Sequence, residues 1–74
     1  MNYKTRIIAD PNIMLGKPII KGTRITVELL LKKLSEGFTI EDIVSQYPHI
    51  TKEDVLAAIE YASEVIANEE IIKV

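Results

Sequence analysis

The sequence predicts a mainly α fold, a three-helix bundle preceded by short β segments. Three observations lead there. Beyond residue 26, apolar residues recur at helical spacing. Each such stretch opens on a threonine placed to cap it. The first 25 residues hold short isoleucine-rich runs broken by glycine and proline instead. The 74 residues read as one domain: a β/loop arm (1–25), a three-helix core (26–67) and a tail (68–74).

In the arm, Arg6-Ile7-Ile8-Ala9 is a β candidate that Asp10-Pro11 ends. A second, Lys17-Pro18-Ile19-Ile20-Lys21, lies between Gly16 and Gly22, which suit tight turns. The tail Glu70-Ile71-Ile72-Lys73-Val74 is a third. Strands this short are marginal alone and need each other or a partner's edge.

The first helix is expected over about 27–36. Thr26 is its cap, Ile25 and Leu30 form a hydrophobic staple, and Gly37 is the stop. Val27, Leu30, Leu31 and Leu34 make its inner stripe, while Leu29 points away beside Lys32, Lys33 and Glu36. The second helix spans about 40–46. Thr39 caps it, Asp42 completes a capping box, and Phe38 and Ile43 staple it. Pro48 ends it, because the residue before a proline avoids helical dihedrals. Its inner face is Ile40, Ile43, Val44 and Tyr47. The third helix spans about 52–67, with Thr51, Asp54 and an Ile50–Val55 staple repeating the same grammar. Val55, Ala58, Ile59, Ala62 and Ile66 are expected on its inner face, and Glu60 and Glu64 on the solvated side.

Two strings resemble a known family. The first is Gly16-Lys17-Pro18-Ile19-Ile20-Lys21-Gly22-Thr23-Arg24-Ile25. The second is the turn Tyr47-Pro48-His49-Ile50-Thr51, which follows the helix-ending Gly37 and precedes the Ala58 and Tyr61 of the last helix. Over about Ile7–Ala62 the chain resembles the small prokaryotic domain-of-unknown-function family four-three-three. That resemblance implies a homeodomain-like three-helix fold with helix-turn-helix character. It also implies a frequent role as the antitoxin partner of a PIN-like nuclease toxin.

Charge is divided unevenly. Residues 1–33 carry seven of the nine Lys/Arg and two of the eleven acids, and the remaining residues carry the other two bases and nine acids. The first part is therefore strongly basic and the second strongly acidic. The helix-turn-helix reading meets an obstacle here. A recognition helix presents its first turn to base edges, and here that turn is Lys52-Glu53-Asp54, which phosphates repel. The candidate nucleic-acid surface is instead Lys17, Lys21, Arg24, Lys32 and Lys33. Arg24 suits a phosphate or a partner carboxylate, and equally an internal pair with Asp10 or Glu28. Candidate partner-binding residues are Leu29, Glu60, Tyr61 and Glu64.

Several classes of chemistry find no support. The Gly16–Gly22 interval is one residue too long for a P-loop, and Gly22 is followed by Thr23 rather than lysine. There is no cysteine, and His49 is the single histidine, so no metal or cofactor is expected. No nucleophile–base cluster suggests an enzyme. No apolar run approaches the ~20 residues that span a bilayer. The absence of cysteine fits a reducing cytoplasm. A single core of this size rarely yields more than ~3–5 kcal/mol, so a homodimer is expected. Two functions follow: an antitoxin-like protein that binds a PIN-like nuclease and operator DNA, or a dimeric interaction module with no nucleic-acid contact.

Overall fold

A computed structural model describes residues 3–69. A 3-10 turn at Tyr3–Thr5 leads into β1 (Ile7–Ile8), and a second turn at Met14–Gly16 leads into β2 (Ile19–Ile20). Three helices follow: α1 (Val27–Ser35), α2 (Ile40–Gln46) and α3 (Lys52–Ala67). The fold is mainly α, as expected. The β candidate at 70–74 lies outside the described residues.

The two β segments satisfy each other. They pair antiparallel, Ile7 opposite Ile20 and Ile8 opposite Ile19, and Ile19 bridges on to Thr26. A two-residue ladder is marginal by itself, so it persists by burying Ile7, Ile19 and Ile20 beneath the helices.

Each helix ends as its sequence dictates. The Thr26 hydroxyl oxygen accepts from Leu29 N–H at 3.0 Å. At the other end of α1, Gly37 takes a left-handed φ of +96°. There Gly37 N–H reaches Leu34 O at 3.1 Å and Phe38 N–H reaches Lys33 O at 3.2 Å, the paired bonds of a Schellman motif. Helices α2 and α3 both carry complete capping boxes. Tyr47, which precedes Pro48, leaves the helical region at φ −123°, ψ 86°.

The core joins the sheet to all three helices through Ile7, Ile20, Val27, Leu30, Ile43, Ile50, Val55, Ala57 and Ala58. Its α3 face differs from expectation. Asp54, Val55, Ala57 and Ala58 are buried, whereas Ile59 is 38% and Ile66 65% exposed. The first half of the helix is turned so that Ala57 and Ala58 face the bundle. Alanine admits close approach of neighbouring backbone, and the N-terminal turn packs along the same side. Glu60 is correspondingly half-buried rather than solvated.

Candidate functional site

The loop between β2 and α1 is tied down at nearly every residue. Gly22 turns the chain with a φ of +82°. Thr23 donates its N–H (3.0 Å) and its hydroxyl (2.8 Å) to Ile20 O, and its hydroxyl oxygen accepts from Ile25 N–H at 3.0 Å. Ile20 N–H reaches Ile25 O at 2.9 Å. Thr23 therefore shapes the turn, and Arg24 is projected from a fixed backbone.

The predicted basic residues separate into two groups. Lys17 pairs with Glu28 at 2.8 Å, and Lys33 lies over the Phe38 ring at 4.8 Å and near the Tyr47 ring at 6.0 Å. The Lys17 ammonium, by hydrogen bond and by charge, lowers the Glu28 pKa from its ordinary value. Lys21, Arg24 and Lys32 are exposed and form no ion pair among the described residues. The internal pairing considered for Arg24 is absent: Glu28 is held by Lys17, and Asp10 accepts from Asn12 N–H at 2.8 Å.

Arg24 stands at a cleft of about 580 Å³ between its own loop and the turn after α2. One wall is Ile19 with Gly22–Ile25, the other is Gln46–Ile50, and Ile13 contributes from the arm. Most of the lining is apolar, and the polar groups are the side chains of Thr23, Arg24, Gln46 and His49 and the hydroxyl of Tyr47. No acidic side chain is among the lining residues. The two motif strings, separated by 21 residues in the chain, thus face each other across one cavity.

The predicted partner-binding residues on α3 are engaged by the chain's own N-terminus. Tyr3 N–H donates to Glu60 Oε1 at 2.9 Å. The Tyr3 and Tyr61 rings meet edge to face, 5.5 Å apart and at 78°. Hydrogen bonding toward the Glu64 carboxylate, followed by burial and neighbouring charge, raises the Tyr3 pKa. Just below, Arg6 pairs with the buried Asp54 at 3.0 Å. Leu29 is half-buried on α1.

Sequence reasoning missed the opposite face of α3. Leu56, Ile59 and Ile66 are 36%, 38% and 65% exposed, at the i, i+3, i+10 spacing of one helical stripe. The hydrophobicity of Ile59 and Ile66 is legible, but not the rotation that brings Ile59 to the surface, nor that the last turns of α3 run past the bundle and leave Val65 43% and Ile66 65% exposed. A second apolar feature is Leu15, 94% exposed at a turn where Met14, Leu15 and Gly16 all have positive φ. Among the described residues, no group of three or more His, Cys, Asp or Glu is placed to hold a metal ion. No helix of the described residues is long and apolar enough to cross a membrane.

A capped three-helix bundle, laced to a two-residue ladder and clefted between its Gly-Thr-Arg and Tyr-Pro turns, defines the class of small domain to which this chain is similar. The family described as "Protein of unknown function (DUF433)" matches residues 7–62, and the chain belongs to it. Both strings that line the cleft fall inside that match. The fold is also similar to the crystal structure of a DUF433 member protein from Anabaena variabilis, solved at 2.00 Å resolution. The two share 29% identity at a TM-score of 0.79, over 84% of this chain and 61% of that one. The chain thus spans about three-fifths of that protein's length. No curated protein matches it.

Proposed function

We propose that the protein is an antitoxin-like component of a prokaryotic toxin–antitoxin pair, working by contact with other macromolecules. In this reading the outer stripe of α3 joins two copies into a homodimer. The basic loop surface then faces a PIN-like nuclease. The exposure of Leu56, Ile59 and Ile66 along one side of α3 carries the proposal. Three exposed apolar residues along one side of a helix, on a bundle this small, favour a protein interface. The unpaired cations Lys21, Arg24 and Lys32 complement a nuclease whose active site is acidic.

Sedimentation of the wild type and of Ile59→Glu tests the dimer. The wild type should sediment above the monomer mass at micromolar concentration, and the variant as a folded monomer. A wild type that is monomeric, or a variant that stays dimeric, defeats the α3 assignment. Whether a small nuclease is encoded beside this gene and co-purifies with the protein tests the partner, and Lys21→Glu/Arg24→Glu should abolish that co-purification. Retention of the nuclease by that double variant defeats the basic-surface assignment.

The same three cations favour a second reading, in which the loop grips operator DNA. The first turn of α3 exposes Glu53 beside Lys52 and buries Asp54, a poor surface for bases. DNA affinity should then fall steeply with salt, and each removed phosphate contact should lower that slope by about one unit. Operator binding that depends on Lys52 and ignores Arg24 would overturn this placement.

A further inference from the structure

We infer that the cleft between the Gly22–Ile25 loop and the Gln46–Ile50 turn binds a small amphipathic organic anion, its apolar body between the walls and its carboxylate on Arg24. The inference does not rest on the toxin–antitoxin reading, although the two share Arg24. The cavity, about 580 Å³, is within the ~300–1,000 Å³ range of small-molecule sites. Its walls are Ile19, Ile25, Tyr47, Pro48 and Ile50, which favour a body without charge.

Charge fixes the head group. Arg24 is the permanent cation of the lining, and no carboxylate of the described residues pairs with it. A guanidinium presents a planar fork that matches a carboxylate with two parallel hydrogen bonds. Its loop is held by the Thr23 hydroxyl and by the Ile20–Ile25 bond, so the ligand has the Arg24 side chain to order but not the loop that carries it.

Backbone chemistry argues against an added peptide strand. The N–H groups of Ile20, Thr23, Ile25, Tyr47 and Ile50 are all spent inside the fold. Those wall positions offer no free donor to an extended chain, whose affinity in that mode comes from main-chain bonds. A compact ligand needs only apolar contact and one charge-assisted head group.

Amide shift mapping of the full chain with decanoate, and with decanol as its uncharged counterpart, tests the site. Decanoate should move the signals of Ile19, Ile25, Tyr47 and Ile50, and decanol should bind at least about tenfold more weakly. Arg24→Gln, at an exposed position, should weaken decanoate about tenfold, while Lys4→Gln, exposed on the N-terminal turn and outside the cleft lining, leaves it unchanged. Shifts concentrated at Leu56, Ile59 and Ile66, equal binding of decanol, wild-type affinity in Arg24→Gln, or no response up to the solubility of decanoate would each overturn the inference. A cleft silent to decanoate that responds only to the nuclease also overturns it, because the occupant is then a protein.

Discussion

Helices α2 and α3 open on nearly the same five residues, Thr39-Ile40-Glu41-Asp42-Ile43 and Thr51-Lys52-Glu53-Asp54-Val55, and on nearly the same geometry. The threonine N–H reaches the aspartate Oδ2 at 2.9 Å in both, and the return bonds are 3.0 and 3.1 Å. Their surroundings differ. Asp42 is exposed, whereas Asp54 is 7% exposed and turns its second oxygen to Arg6 at 3.0 Å. A local motif has therefore become a tertiary clamp at one site and remained a cap at the other. What distinguishes them is the arrival of the N-terminal arm, from 48 residues away.

The largest expected effect is at Asp54. Asp54→Ala removes a cap and leaves Arg6 without its partner. Because the Arg6 side chain is 38% exposed, water can recover part of its solvation. A loss of about 2–3 kcal/mol is expected, below the full cost of stranding a buried charge. In a fold whose core supplies roughly 3–5 kcal/mol, that leaves little stability. Urea titration should show the variant unfolding at far lower denaturant. A midpoint close to wild type would mean that the arm does not clamp α3.

Next in size is the coupling itself. A double-mutant cycle of Arg6→Ala and Asp54→Ala should give an interaction energy of about 1–2 kcal/mol. The corresponding cycle of Lys17→Ala and Glu28→Ala, an exposed pair, should give a clearly smaller value that falls further with added salt. Equal coupling in the two cycles would erase the distinction between clamp and surface.

The local part should be equal at both helices. Thr39→Ala and Thr51→Ala each remove one hydroxyl acceptor from one backbone N–H, and each should cost about 1 kcal/mol by thermal or urea unfolding. If Thr51→Ala costs several times more, the clamp holds Asp54 through the threonine and the two boxes are not alike even locally.

This comparison marks where the sequence is legible and where it stops. Both boxes, the Gly37 stop and the Pro48 break are local chemistry within five residues, and their positions follow from residue type alone. The paired Ile7–Ile8 and Ile19–Ile20 were also readable, because glycine and proline bracket them. Arg6 meeting Asp54 and Tyr3 covering Glu60 and Tyr61 were not, since no periodicity reports which distant segment reaches a helix. The same holds for Ile59. Apolar spacing in α3 fits two neighbouring faces, and the choice between them was made by the alanines and by the arm. At the cleft, both motif strings stood out in the sequence, but their meeting across one cavity is a property of the fold.

The smallest expected effect separates two carboxylates by salt. Asp42 has its pKa lowered chiefly by the Thr39 N–H and also by the Thr39 side chain, and Glu28 has its pKa lowered by Lys17. In both cases the folded protein holds the proton less tightly than the unfolded chain. The stability each supplies is therefore complete above the unfolded carboxylate pKa and is lost as the pH falls through the lower, folded value. Melting temperatures followed from about pH 6 down to about pH 3 should fall less steeply in Asp42→Asn and in Glu28→Gln than in the wild type. Raising salt to about 1 M shortens the screening length to about 3 Å. The Glu28 contribution should then vanish, because it is a solvent-exposed charge pair. The Asp42 contribution should persist, because a hydrogen bond to a backbone N–H inside a capping box is short-range. If salt removes both equally, Asp42 acts as a surface charge near a helix N-terminus, and the resemblance between the two boxes is geometric only.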